Sequence, residues 1–129
     1  MRYITKLMIN EFNMQDIDFM GYKFDKSNAS FHHLIIPKRF NGPLTIENGA
    51  VLNGFTSHPY LHIIESKDLE IFNLITSEMI DQNIKRKIDV ENLRNINQLL
   101  SYFEREYINE RTNKGKLLIK DEFLIRKKI

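Results

Sequence analysis

The four histidines of this 129-residue chain all fall between residues 32 and 62, and their spacing restricts what the intervening chain can build. His32 and His33 are adjacent within an apolar run, Ala29 to Ile36 (ASFHHLII), that reads as a strand ended by Pro37. His58 and His62 stand four apart at a helix start, where Thr56 and Ser57 are N-cap candidates and Pro59 sits in the first turn. Residues i and i+4 lie one above the other on a helical face, so this pair can close on one metal ion. A third ligand must then come from another element, and the His32–His33 strand is the donor the sequence offers.

The chain between and around these segments fills in the order. Lys38 to Gly49 (KRFNGPLTIENG) carries two glycines, a proline and two asparagines and reads as a loop. Ala50 to Asn53 (AVLN) is a short apolar strand that Gly54 breaks, giving strand, loop, strand, helix. Upstream, residues 1–15 form a short helix or an ordered arm, and the aromatic-rich Ile17 to Phe24 (IDFMGYKF) predicts a further strand with a turn after it. Downstream, a second helix is expected from near Ser66, with Lys67 and Asp68 in its first turn and Leu69, Phe72, Ile75, Met79 and Ile80 at helical spacing. A third is expected from Asp89 as N-cap, with Val90, Leu93, Ile96, Leu99, Leu100, Phe103 and Tyr107 as a core stripe or a dimer seam. Residues 111–115 (RTNKG) are loop-like, and the amphipathic tail KLLIKDEFLIRKKI fits helix or strand equally.

Composition narrows the chemistry. With no cysteine, disulfides and thiolate zinc knuckles are excluded, so any metal must be held by His, Asp, Glu or Asn. A hydrophobic content of 42% and a charged content of 28% suit a soluble core without staples, and the length suits one domain over 1–129. No apolar run is long enough to span a bilayer and the first residues lack a secretory signal, so a cytoplasmic protein without a membrane partner is expected. A net charge of +2 is compatible with a nucleic-acid partner without pointing to one.

FHHLIIP, then Asn48 in IENGAVL, then SHPYLH, resembles the ββα-metal core of HNH endonucleases, and most closely the His-rich variant of colicin-type DNase domains. Fourteen residues separate His33 from Asn48, nine separate Asn48 from His58, and three separate His58 from His62. The resemblance covers roughly residues 29–65. It implies an α+β fold: a ββα-metal core, preceded here by the N-terminal strand and followed by two longer helices over about 66–129. It further implies His33 as general base, His32, His58 and His62 as ligands of one divalent metal ion, and Asn48 as the residue that ties the loop across the motif. Alone, Asn48-Gly49 would read as a turn.

The chemistry is coherent. A neutral imidazole is matched to deprotonating water near neutral pH, and one divalent ion can stabilise the scissile phosphate and the leaving alkoxide. Lys38 and Arg39 are candidate phosphate contacts. Three imidazoles favour Zn²⁺, Ni²⁺, Co²⁺ or Mn²⁺ over Mg²⁺. DNA is the expected substrate; RNA stays open, because the mechanism does not need the 2′-hydroxyl. One site cuts one strand, so a double-strand break would need a homodimer or two sequential events. Enzymes of this size in the family resemble phage-encoded or mobile-element nucleases. Two rival readings are a binding module whose histidines hold a structural zinc, and an interaction protein on a relic nuclease core.

Further assignments are open at this stage. Glu65 is expected at the surface or as a capping group, and Tyr60 either packs or reaches substrate. The basic tail at Arg126, Lys127 and Lys128 is a weak candidate for DNA contact. Neighbouring residues on an ideal strand point to opposite faces, so His32 and His33 can serve one site only if the strand is bulged or twisted, or if the metal sits at its edge.

Overall fold

The computed structural model describes residues 1–107 and 120–127. The described residues form a mixed α+β structure with four α-helices and a two-stranded antiparallel sheet. Helix α1 (Tyr3–Glu11) decides the helix-or-arm question for the first residues: Ile4, Met8 and Phe12, four apart, bury one face. It ends at Asn13, whose positive φ of 48° lets the Met14 N–H reach back to the Ile9 carbonyl.

The expected N-terminal strand over Ile17 to Phe24 is not formed; only an isolated bridge, Ile17 to Lys23, marks it. The segment winds around the buried Asp18 carboxylate instead. Its Oδ1 accepts from the Met20 and Tyr22 backbone N–H groups at 2.8 and 2.9 Å, and Gly21, at φ 92°, supplies the backbone reversal. The aromatic residues that suggested a strand are core residues all the same: Phe19, Tyr22 and Phe24 are buried.

Strand β1 (Ala29–His33) pairs with β2 (Gly49–Asn53) in unbroken register, from Ala29 opposite Asn53 to His33 opposite Gly49. β1 is shorter than its apolar run. The Leu34 N–H still reaches the Asn48 carbonyl, but the Ile35 and Ile36 N–H groups are captured by the Asn48 side chain, which ends the ladder. Helix α2 (Ser57–Lys67) begins at the expected place, with the candidate Thr56 in the N-cap position. Thr56 makes no capping bond, and the Ser57 hydroxyl is drawn to the Asp18 carboxylate.

Asp68 separates α2 from α3 (Leu69–Lys85). It is the N-cap of α3, accepting from the Ile71 N–H at 3.1 Å, rather than a first-turn residue. Asp89 caps α4 (Val90–Tyr107) as its sequence suggests. Leu93, Ile96, Leu100 and Phe103 are buried within the chain, so this stripe is spent on the core and is not exposed as a dimer seam. The segment 108–119, with the expected loop at 111–115, lies outside the described residues. Asp121–Leu124 form a single 3₁₀ turn, which answers the helix-or-strand question for that part of the tail.

That turn docks Phe123 onto the Tyr60 ring, 5.5 Å between centroids, and its carbonyl accepts from the Tyr22 hydroxyl. Among the described residues, no helix is long and apolar enough to cross a membrane.

Candidate metal centre and its cleft

The sheet and α2 bring three histidines together. His32, the next-to-last residue of β1, is almost fully buried, and it faces His58 and His62 on successive turns of α2. One ring nitrogen from each lies within 4.8 Å of the other two. Outer partners orient the rings. Ser30, two residues before His32 and on the same strand face, meets His58 Nδ1 at 2.7 Å, while Glu65 meets His62 Nδ1 at 3.2 Å. Both contacts leave the Nε2 atoms for the centre, the arrangement by which ligand histidines are usually held. The sequence reading missed Ser30, although period-two spacing from His32 would have found it. Glu65, read as a surface or capping group, is instead the partner of His62.

The donor set fits a divalent ion. His32 Nδ1 and His58 Nε2 are 3.3 Å apart. Two nitrogens bound at about 2.0–2.1 Å with tetrahedral angles would sit about 3.3–3.4 Å apart. Burial pushes His32 down to about 3 and His58 down to about 4, with the neighbouring rings adding to both, so the two are neutral, as ligands must be, at ordinary pH. Among the described residues, His32 Nε2 is buried with no hydrogen-bond partner.

His33 is not part of this cluster. It shares a strand face with Phe31, whose ring it meets edge-on at 5.0 Å. The register of β1 contains no bulge, so the two histidines do point to opposite faces, and the edge of the strand resolves the difficulty. Among the described residues β1 pairs on one side only, and consecutive residues from Ala29 to Ile35 line a cleft of about 1200 Å³ along its other edge. His32, His58 and His62 meet the cleft from one face and His33 from the other.

Desolvation lowers His33, as do the Arg2 and Lys38 charges, while the Gly42 backbone beside the ring works against them. Gly42 is closely held: a Cβ placed there would lie 1.9 Å from the Ile36 oxygen.

Asn48 holds that loop. Only 4% exposed, it accepts from the Ile35 and Ile36 N–H groups at 3.0 and 2.7 Å and donates to the Ile36 and Pro43 carbonyls at 3.0 and 3.1 Å. Asn83 of α3 braces the chain on both sides of it, donating to the Ile46 and Gly49 carbonyls at 2.7 Å each. Lys38 and Arg39 lie in a 3₁₀ turn (Lys38–Phe40), are exposed, and line the cleft with Arg2.

Two open assignments are decided here. Tyr60 is fully buried and donates to Glu104 at 2.8 Å, so it packs and does not reach the cleft. Arg126 is locked against Glu104 at 2.8 Å with its side chain 8% exposed, which removes it from any surface contact with DNA; Lys128 lies outside the described residues.

Comparison with protein-family models, with curated proteins and with solved structures finds no match to this chain.

Proposed function

We propose that the chain is a metal-dependent endonuclease of the HNH type, with residues 29–65 as its ββα-metal core, hydrolysing phosphodiester bonds in DNA. The observation that carries this reading is the division of the four histidines. Three converge as ligands, and the fourth, outside their cluster, addresses the same cleft from the opposite strand face. Structural zinc sites are closed by four ligands, whereas catalytic sites keep a position open; a three-histidine centre is of the second kind.

In this reading His33 is the general base. Its ring, lowered toward the neutral form, removes a proton from the attacking water. Asn48 is a positioning residue: it fixes the loop whose Gly42 backbone lies beside the ring. Arg2, Lys38 and Arg39 place positive charge along the cleft for the flanking phosphates. The divalent ion held by His32, His58 and His62, when bound, supplies Lewis-acid stabilisation of the phosphate and of the departing oxygen. The imidazole set favours Zn²⁺, Ni²⁺ or Mn²⁺ over Mg²⁺.

The test is plasmid cleavage by wild type and His33→Ala after chelation and re-addition of each metal, alongside metal affinity by calorimetry. The expected result is metal-dependent nicking that His33→Ala abolishes while binding metal normally. Loss of metal by His33→Ala would instead indicate a closed structural site. A folded, metal-loaded wild type that leaves both DNA and RNA intact would remove the nuclease reading.

A further inference from the structure

The loop after β1 carries an exposed apolar surface that the catalytic reading does not use. Ile35, Ile36, Phe40 and Leu44 are 58, 44, 66 and 49% exposed, four large apolar side chains within ten residues. Exposed apolar residues gathered in one place mark an interaction surface more often than scattered ones do. The loop is also stiff. Besides the four Asn48 bonds, the Phe40 and Gly42 N–H groups donate to the Pro37 carbonyl and the Asn41 N–H donates to the Lys38 carbonyl, all at 3.0 Å. Its apolar side chains are thus presented outward on a fixed backbone.

The charge around the surface selects the partner. Lys38 and Arg39 interrupt the apolar run, and the Arg39 guanidinium lies 5.0 Å from the Phe40 ring centroid. Of the charged groups lining the adjoining cleft, Arg2, Lys38 and Arg39 are cationic, and the one carboxylate, Glu65, is engaged by His62. A partner that is anionic along its length and offers flat apolar faces is a nucleic acid with unpaired bases. Aromatic side chains interleaved with cations are the means by which proteins hold single strands. In a duplex the base faces are stacked away from such a loop.

We propose that residues 35–44 are a base-stacking platform, and that the cleft therefore takes single-stranded or locally unpaired nucleic acid, with a base on Phe40 and its phosphates on Lys38 and Arg39. The proposal deepens the nuclease reading and rests on it for the identity of the cleft.

The experiment uses the full chain carrying His33→Ala, so that substrate is not consumed. Binding is measured to a short oligodeoxynucleotide containing 2-aminopurine, single-stranded and in its matched duplex, at fixed salt. The single strand should bind more tightly and change the 2-aminopurine fluorescence on binding. Adding Phe40→Ala should weaken single-strand binding about tenfold and remove the fluorescence change, and Phe40→Trp should restore both. Tighter binding of the duplex, or a Phe40→Ala protein with unchanged single-strand affinity, overturns the platform. The two readings fail separately. Wild type that cuts duplex and single strand alike, unaffected by Phe40→Ala, overturns the platform and leaves the nuclease. Phe40-dependent single-strand binding without cleavage under any metal supports the platform and removes the nuclease.

Discussion

Replacing Asn48 tests whether one buried side chain organises the loop that faces the metal centre. Its carboxamide satisfies four backbone groups: the N–H groups of Ile35 and Ile36 and the carbonyls of Ile36 and Pro43. A buried polar group left unpaired costs about 1–3 kcal/mol, and water can reach the exposed Ile35 and Ile36 in part. Asn48→Ala should therefore lower the unfolding free energy by about 2–4 kcal/mol, or on the order of 10 °C in Tm for a chain of this size. Asn48→Asp is the sharper variant. It keeps an acceptor for the two N–H groups but turns a carboxylate oxygen toward the Ile36 and Pro43 carbonyls where an NH₂ donor stood. It should be at least as destabilising as Asn48→Ala, whereas an ordinary Asn turn would accept Asp readily. Urea unfolding of wild type and both variants measures this directly, with His32–His58–His62 metal affinity as a control for the rest of the fold. An Asn48→Asp protein within about 0.5 kcal/mol of wild type would refute the reasoning, since changes that small are ordinary for surface positions.

Gly42→Ala should force the loop away from the Ile36 oxygen and displace the backbone beside His33; cleavage should fall by as much as about 100-fold with metal affinity unchanged, and an unaltered rate would disconnect the loop from His33. Arg126→Ala leaves the half-buried Glu104 beside Tyr60 without its cation and should cost about 2–3 kcal/mol by chemical denaturation, a loss under about 1 kcal/mol counting against the pair. Asp18 is raised by burial from 3.8 to about 6, so the native state holds its proton more tightly than the unfolded chain does. That contribution is full below the unfolded value and is lost as pH rises through about 6. Asp18→Asn, which cannot titrate, should gain about 2–3 kcal/mol relative to wild type between about pH 4 and pH 8, and a difference independent of pH would show that Asp18 titrates normally.

The readable part of this protein is the part written in local spacing. His58 and His62 share a helical face because of 3.6-residue periodicity. Ala29 to His33 and Ala50 to Asn53 pair because apolar runs bounded by Pro, Gly and Asn can do little else. Asp89 starts α4 because its side chain accepts from a backbone N–H three residues on. Those regularities depend on neighbours a few residues away; they set His58 and His62 on one helical face and left the third ligand to the His32–His33 pair, from which the family resemblance chose His32.

Tertiary structure decided whatever depends on which distant group satisfies a polar atom. Ile17 to Phe24 has the composition of a strand, but Asp18 bonds to Asn53 and Ser57, 35 and 39 residues away, and curls the segment around itself. Arg126 looked like a free basic tail until Glu104, 22 residues earlier, took its charge inside. His32 and His33 share a cleft because, among the described residues, β1 pairs along one edge and lines the cleft with the other, which no single strand's sequence reveals. The sequence by itself determined where apolar surface and histidines lie along each element. Only the folded chain decided which polar groups close on one another, because a buried hydrogen bond is chosen by proximity in space and carries no periodicity along the chain.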